Sequence, residues 1–146
     1  MTSDIKVIKI SDPKKLSQAF KIREKVFVEE QKVPKEEEID EFEDISHHFI
    51  ASYRSVPCAA ARWRITSVGV KLERFAVLPE YRKKGLGSAL VKAVIDDIEK
   101  TPQTSGKIKY LHAQLGAVPL YQKFGFIKQG DMFEECAILH YKMVLD

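Results

Sequence analysis

A basic run followed by two glycines is the first candidate for chemistry in this sequence. Arg82, Lys83 and Lys84 precede Gly85 and Gly87. Apolar residues four apart after the glycines predict a helix, and the first turn of a helix has unpaired N–H groups and the positive end of the helix dipole. A phosphate can bind there because glycine leaves room for it. The Walker spacing GxxxxGK[ST] is absent, and a tight turn beside a solvated basic patch is the alternative interpretation.

The strand before this turn has an irregular apolar pattern. Apolar residues alternate up to Leu72 and resume out of phase at Phe75. A strand that keeps one buried face through such a change needs an extra residue, which predicts a β-bulge near Glu73-Arg74. Bulges often lie beside active sites. A central strand buried on both faces would explain the pattern without a bulge.

The elements that would position these residues alternate between strands and helices. The patterns predict a strand, a helix, a short helix in an acidic stretch, three strands, a helix, a strand, a short helix and two final strands. Asp12 and Pro13 mark the start of the first helix, and Gly125 has the position of a left-handed cap after the last one. This order predicts an α/β fold with a mixed central sheet flanked by helices.

Length and composition favour one domain over residues 1–146. Apolar residues make up 45% of the chain and charged residues 31%, as in a globular protein. No stretch approaches the ~20 apolar residues that span a bilayer, and the polar N-terminus does not match a signal peptide. We therefore expect a soluble, cytoplasmic protein with no membrane partner. Cys58 and Cys136 lie far apart, so we expect two reduced, buried thiols.

The net charge of +3 hides a segregation along the chain. The acidic segment, residues 29–44, has nine carboxylates and two lysines, a net charge of −7, which leaves +10 on the rest of the chain. This positive charge is spread out and not concentrated in a block. We therefore expect no nucleic-acid partner, and steep salt-dependent binding would indicate the opposite.

Two motifs together resemble those of the GNAT superfamily of N-acetyltransferases. The pattern Arg82-x-x-Gly85-x-Gly87 after a strand is similar to the acetyl-coenzyme A signature [QR]-x-x-G-x-[GA]. Residues 120–126, LYQKFGF, look like the second motif, FYxKxGF, with Leu120 in place of the common Phe. Residues 22–31, IREKVFVEEQ, and the C-terminal FEE with His140 are similar to the ElaA-like branch. The resemblance covers nearly the whole chain and implies a single N-acetyltransferase domain.

The resemblance implies that acetyl-coenzyme A binds where the bulged strand separates from its neighbour. Backbone N–H groups of that strand would bind the pantetheine arm and the acetyl oxygen, and those of the loop would bind the pyrophosphate. The implied cofactor-binding residues are Phe75, Ala76, Val77, Arg82, Lys83, Lys84, Gly85, Leu86, Gly87 and Ser88.

Three residues are candidates for proton transfer. The resemblance implies that Tyr121 is the general acid that protonates the departing thiolate, and simple packing on a short helix is the alternative. His140 is a candidate base because an imidazole titrates near ~6.5, and a buried structural histidine is the alternative. Glu73 on the bulged strand is the other candidate base, acting through water. If the acceptor loses its proton to bulk solvent, no base is needed.

Four residues are candidates for binding the acceptor. Arg23 and Arg74 could hold an anionic group, since guanidinium matches carboxylate or phosphate in two-point fashion. Two solvated arginines on unrelated faces are the alternative. His112 and Gln114 would reach the same pocket from the strand before the second motif. The superfamily builds an acceptor-side lid where the acidic segment lies, so that segment is expected to shape the entrance or to be a solvated helix face.

These residues together predict an acyltransferase. It would move an acetyl group from acetyl-coenzyme A to a primary amine of a small acceptor, with an anionic acceptor as one option. Direct attack in a ternary complex is favoured because no cysteine or serine lies in a nucleophile motif. A non-catalytic coenzyme A-binding regulatory module and a peptide or protein N-acetyltransferase are the alternatives. No metal is expected, since the adjacent His47 and His48 point to opposite faces of a strand, and a homodimer is compatible with the sequence.

Overall fold

The predicted strands form one mixed sheet in the computed structural model, which describes residues 4–145. The strands are β1 (Ile5–Lys9), β2 (His47–Tyr53), β3 (Val56–Ile65), β4 (Val70–Val77), β5 (Lys109–Gln114), β6 (Ile127–Lys128), β7 (Phe133–Glu135) and β8 (Ile138–Leu145). The helices are α1 (Pro13–Arg23), a π-helix (Glu24–Glu30), α2 (Lys35–Glu38), α3 (Leu86–Lys100) and α4 (Val118–Gln122). Short 3₁₀ turns cover Glu43–Ile45, Pro79–Tyr81, Pro102–Thr104 and Leu115–Ala117. The predicted α/β fold is confirmed.

The order of strands in the sheet is β1-β2-β3-β4-β5-β8-β6, and β7 also pairs with β8. The β4–β5 pair is parallel, and all the others are antiparallel. The register of β4 and β5 runs only from Val70 opposite Lys109 to Leu72 opposite Leu111. Beyond Leu72 the two strands separate, and a V-shaped opening forms between them.

The β-bulge lies where the apolar pattern predicted it. Ala60 pairs with Ala76 and Arg62 with Glu73, so two residues of β4 face the single residue Ala61 of β3. Arg74 is one of the two, and its φ of 61° is in the left-handed region. The extra residue bends β4 away from β5, because a bulge adds local twist.

Helices cover both faces of the sheet and bury two apolar clusters. On one face, α3 packs Leu90, Val94 and Ile98 against Trp63 and other residues of the sheet. On the other face, α1 and the π-helix pack against small residues of β3 and β4, among them Ala60 and Ala76. None of the helices in the described part of the chain is long and apolar enough to cross a membrane.

The apolar spacing after Pro13 predicts an α-helix through about residue 28, and the structure differs from this prediction in the second half. Asp12 caps α1 as expected, since its carboxylate accepts a hydrogen bond of 2.8 Å from the N–H of Lys15. The α-helix ends at Arg23, however, and continues as a π-helix through Glu30. The wider turn places Phe27 on the wall of the opening between β4 and β5. π-helical turns of this kind are frequent at functional sites.

Strand β7 has no counterpart in the sequence prediction. It joins β8 through a two-residue turn, Cys136 and Ala137, with φ values of 51° and 62°. Such turns ordinarily use Asn or Gly, because both residues need positive φ. Neither residue type is present here, so the turn had no recognisable signal. Cys136 is also exposed, which corrects the expectation of two buried thiols, whereas Cys58 is buried.

Candidate active site

The opening between β4 and β5 contains a cavity of about 170 Å³. Phe27 and Val33 form one wall, and α4 and the β7–β8 hairpin form another. Seven predicted site residues line the cavity: Glu73, Arg74, Phe75, His112, Gln114, Tyr121 and His140. The structure thus brings together candidates that lie on three strands and one helix. Ala76 and Val77 continue β4 away from the cavity and pair with β3.

Tyr121 lies on α4 with its ring packed between two phenylalanines. The ring centroids lie 5.8 Å from Phe75 and 6.0 Å from Phe126, both in edge-on arrangements. Only 6% of the residue is exposed, and burial raises the pKa of the Tyr121 hydroxyl. Within residues 4–145, no hydrogen-bond partner of this hydroxyl is present. A protonated phenol therefore borders the cavity with its donor available.

His140 lies on β8, opposite Gln114 of β5, and is 6% exposed. Its Nδ1 is 2.7 Å from the carbonyl oxygen of Ile138. A carbonyl only accepts, so Nδ1 carries the proton, and in the neutral ring Nε2 keeps its lone pair. Phe133 stacks on the ring with centroids 5.7 Å apart. The fixed tautomer leaves Nε2 in the form that a proton acceptor needs.

Glu135 of β7 is a site residue that sequence reasoning missed. Its Oε2 is 3.2 Å from Nδ1 of His112, and its Oε1 is 3.9 Å from Nε2 of His140. The hydrogen bond from His112 holds the pKa of Glu135 below its usual value, so the carboxylate is ionised at neutral pH. Glu135 belongs to the FEE segment of the ElaA-like resemblance, but because β7 was not predicted, that segment did not place its carboxylate beside the two histidines.

The structure does not favour Glu73 as a base. Its carboxylate accepts hydrogen bonds from Nε of Arg62 at 2.8 Å and Nε of Arg64 at 2.7 Å, and Lys71 lies 3.4 Å away. Burial alone would raise the pKa of Glu73, but the charges of Arg62, Lys71 and Arg64 outweigh it and lower the pKa. A carboxylate held by three cations has little tendency to take a proton. The base assignment to Glu73 is therefore not retained.

Arg23 is the predicted acceptor-binding residue that the structure places elsewhere. It is 1% exposed and donates to Glu38 Oε1 at 2.6 Å, to the Glu38 carbonyl at 2.9 Å and to both carboxylate oxygens of Glu43 at 3.0 and 2.8 Å. These bonds use Nε, Nη1 and Nη2, so little donor capacity remains for an acceptor. Arg23 instead holds the acidic segment against α1, and its predicted role is corrected to a structural one.

The acidic segment is also fixed to the sheet by Arg62. This guanidinium is 0% exposed and binds both carboxylate oxygens of Asp40, at 2.9 and 2.8 Å. Burial would raise the pKa of Asp40, but Arg62 outweighs it and lowers the pKa to about 2. The prediction that the segment shapes an entrance fits its place, since Glu37 and Glu38 line the cavity.

Arg74 and Gln114 both line the cavity while bonded to neighbouring segments. Arg74 donates from Nε to the Glu38 carbonyl at 3.2 Å and from Nη2 to Asp40 at 3.2 Å. Gln114 exchanges two amide hydrogen bonds with Gln31, at 2.8 and 3.2 Å. The amide pair joins β5 to the end of the π-helix. For both residues, acceptor binding stays a prediction.

The glycine loop, residues 82–88, connects β4 to α3 and lies outside the cavity. Gly85 has a φ of 94°, which a residue with a side chain adopts only with strain. A Cβ on Gly87 would lie 3.2 Å from a methyl group of Leu120, so this glycine lets α3 and α4 approach closely. The first bond of α3 runs from the N–H of Ala89 to the carbonyl of Gly85 at 3.0 Å, so the earlier amides of the helix have no intrahelical partner.

Two charged side chains of this region have contacts that the sequence did not predict. Arg82, expected at a phosphate, forms a bidentate pair with Glu30 at 2.7 and 2.6 Å and donates from Nε to the Val77 carbonyl at 3.0 Å. Lys123 of α4, to which the sequence prediction gave no role, donates to the Ser88 hydroxyl at 3.1 Å. Lys123 therefore adds a cation at the start of α3.

Metal-ligating side chains do not cluster in the described part of the chain. No group of three or more His, Cys, Asp or Glu residues among residues 4–145 has an arrangement that could hold a metal ion. The carboxylate of Glu135 and its two histidines are accordingly described as a hydrogen-bonded group and not as a metal centre.

Comparison with known proteins agrees with this architecture. The family model described as acetyltransferase (GNAT) domain matches residues 11–146. The chain belongs to the GNAT acetyltransferase family. Among curated relatives, the uncharacterized N-acetyltransferase YjcF of Bacillus subtilis is 38% identical over 144 residues, which is 97% of this chain and 100% of YjcF. The resemblance stated from the two motifs is therefore confirmed.

Solved structures share the fold over almost the whole chain. An acyl-CoA N-acyltransferase from Pseudomonas aeruginosa is 25% identical, with a TM-score of 0.82 over 98% of this chain and 99% of the other. Escherichia coli ElaA is 23% identical, with a TM-score of 0.84 over 97% of this chain and 99% of ElaA. The bulged, V-shaped sheet described above thus belongs to a GNAT fold, which ElaA shares.

Proposed function

We propose that this GNAT protein transfers an acetyl group from acetyl-coenzyme A to a primary amine of a small acceptor by direct attack. The observation that carries the proposal is the cavity in the V between β4 and β5, which a phenol donor and an imidazole acceptor both line. The family model and the name of the Pseudomonas aeruginosa relative support an acyl-coenzyme A donor.

The cofactor would extend from the glycine loop into the cavity. The free amides at the start of α3 and the cations Lys83, Lys84 and Lys123 suit the pyrophosphate, since anions bind at helix N-termini. From there the pantetheine arm would follow the edge of β4 that β5 leaves unpaired beyond Leu72. Residues of this edge from Phe75 to Val77 would offer backbone hydrogen bonds to the arm and to the acetyl oxygen.

The reaction requires two proton movements. The ammonium form of the acceptor gives one proton to Nε2 of His140, and the free amine attacks the acetyl carbon. As the C–S bond breaks, Tyr121 donates its hydroxyl hydrogen to the departing thiolate, and the second nitrogen proton passes to water. The Tyr121 phenolate then regains a proton from water. The products are an amide and coenzyme A with a free thiol. No covalent bond to the protein forms at any step.

A thiol-release assay tests the proposal directly. The protein is mixed with acetyl-coenzyme A and a panel of primary amines, and free thiol and acetylated amine are measured together. We expect both to rise in equal amounts with at least one amine. Thermal stabilisation by coenzyme A without thiol release across the panel would contradict catalysis and indicate the regulatory binding module instead.

Replacement of Tyr121 by Phe tests the acid. The ring would keep its packing against Phe75 and Phe126, and only the hydroxyl would be lost. We expect kcat to fall about 100-fold, the lower end of what a positioned acid contributes. Tyr141→Phe is the matched control, because Tyr141 lies on β8 outside the cavity lining. Unchanged turnover of Tyr121→Phe would exclude the acid role.

A further inference from the structure

Glu135 and His140 present two acceptor atoms to each other at the edge of the cavity. The Nε2 lone pair of neutral His140 and the Oε1 atom of the ionised Glu135 are 3.9 Å apart. Two acceptors cannot hydrogen-bond to each other, and within residues 4–145 no protein donor reaches either atom. His140 lines the cavity and is only 6% exposed, so its Nε2 is available to a ligand that enters the cavity.

An ammonium group fits between these two atoms. Consider a nitrogen placed about 2.9 Å from each atom, the ordinary N–H···O distance. The angle at this nitrogen between Oε1 of Glu135 and Nε2 of His140 would be about 85°. That angle is close enough to the tetrahedral angle for two N–H groups of one ammonium to reach both atoms. The third substituent position then carries the rest of the acceptor, and the fourth is the remaining N–H.

We propose that Glu135 is a positioning residue of the acceptor site, which binds the acceptor ammonium beside Nε2 of His140 and then stabilises the imidazolium. The inference rests on the proposed acetyl transfer. The proton moves from the bound nitrogen to Nε2, and the new N–H of the ring faces the same carboxylate. The positive charge therefore stays beside Glu135 before and after the transfer.

The hairpin and His112 hold Glu135 in this place. In the β7–β8 register Glu135 is opposite Ile138, whose carbonyl fixes the tautomer of His140. His112 donates to the second carboxylate oxygen, Oε2, at 3.2 Å. One oxygen is thus used for positioning, and the other remains for the acceptor. The β7–β8 hairpin therefore positions both atoms that would bind the ammonium, Oε1 of Glu135 and Nε2 of His140.

Other charged groups act on this pair and must be considered in any pH profile. The titratable or charged side chains that line the same cavity are Lys71, Glu73 and Arg74 from β4, Glu37 and Glu38 from α2, His112 from β5, Tyr121 from α4, and Cys136 from the turn. A neighbouring cation disfavours a charged ring, and a neighbouring carboxylate favours it. All remain in a Glu135 variant, so a comparison with wild type isolates the effect of Glu135.

The test compares Glu135→Gln with the matched control Glu134→Gln. Glu134 is the preceding residue of β7, exposed and directed to the other face of the hairpin. With the amine that the thiol-release assay identifies, Glu135→Gln should raise the acceptor KM about tenfold and change kcat less than about threefold. The acid limb of kcat/KM should move to lower pH by about half a unit, because a carboxylate beside Nε2 favours the charged ring.

A second readout needs no turnover. NMR titration of the His140 ring should show that it takes up its proton at lower pH in Glu135→Gln than in wild type or Glu134→Gln. Glu135→Asp, which keeps the charge, should recover most of that difference. If Glu135→Gln behaves as Glu134→Gln in both the titration and the acceptor KM, the proposal is wrong. If wild type acetylates no amine, the proposed function fails, and the titration alone decides whether Glu135 acts on His140.

Discussion

The glycine loop offers backbone groups at the start of α3, whereas the acceptor side of the cleft offers side chains that an ion network holds. The loop needs little more than two glycines and a helix start to present free amides. The acceptor side needs Arg23, Arg62 and Arg74 to fix carboxylates that arrive from a distant segment. Local backbone geometry forms the glycine-loop half of the cleft, and pairing between charged residues that lie far apart in sequence forms the acceptor half. Substitutions in the two halves should therefore differ in their effects on stability and on coenzyme A binding.

The largest expected effect is on the acceptor side. Arg62→Met would remove the fully buried cation that Asp40 and Glu73 share. Of their cationic partners among residues 4–145, Asp40 would keep only Arg74, and Glu73 would keep Arg64 and Lys71, so both carboxylates lose their most buried partner, which is costly. We expect a loss of about 3–5 kcal/mol in the free energy of unfolding, measured by urea denaturation. Arg54→Met is the control, since Arg54 pairs with Asp4 at 3.4 Å on the surface and should cost less than about 1 kcal/mol. Equal losses in both variants would contradict the importance of the buried network.

An intermediate effect is expected in the glycine loop. Gly85→Ala places a side chain at a φ of 94°, which costs about 1–2 kcal/mol. The distorted loop should also bind coenzyme A at least about tenfold more weakly, measured by isothermal titration calorimetry. Gly106→Ala is the matched control, because its φ is 76° and nothing lies within 4 Å of an added Cβ. It should lose comparable stability and keep its affinity. Equal affinities for coenzyme A in Gly85→Ala and Gly106→Ala would show that the glycine loop does not take part in cofactor binding.

The two halves also differ in how far the sequence predicted them. The bulge at Arg74 followed from the apolar phase change around Leu72 and Phe75, and the loop followed from its glycines and the helix pattern. Both are local features in which one stretch of chain carries the whole signal. The family resemblance then added Tyr121, which the structure places at the cavity.

The acceptor side could not be predicted in the same way because its partners are far apart in sequence. Arg23 has the residue type of an anion-binding group, yet its bonds go to Glu38 and Glu43, and no local pattern shows that pairing. Glu135 was missed because β7 has three residues and its turn uses Cys136 and Ala137 at positive φ. Where function depends on tertiary charge pairing, residue type alone assigns the wrong partner.

The smallest expected effect concerns the contact that joins the two halves. Glu30 lies at the end of the π-helix and binds Arg82 of the glycine loop, and the two side chains are 38% and 40% exposed. An exposed pair contributes little to stability, so Glu30→Gln should change the free energy of unfolding by less than about 1 kcal/mol. Removing the carboxylate frees the Arg82 guanidinium for a phosphate, and coenzyme A should bind about two- to fivefold more tightly.

Arg82→Met separates this competition from a purely structural contact. If Arg82 binds the cofactor after leaving Glu30, Arg82→Met should weaken coenzyme A binding, and Glu30→Gln should no longer strengthen it in the double variant. If the pair only holds the loop to the π-helix, both single variants should weaken binding by similar factors, because each removes the same bidentate contact. Calorimetry at low and high salt distinguishes a phosphate contact of Arg82 from a purely structural role. A contact between Arg82 and phosphate weakens as the ionic strength rises, whereas backbone amide contacts change little. Opposite signs for the two single variants would show that the glycine loop also depends on a side chain that the acceptor half controls.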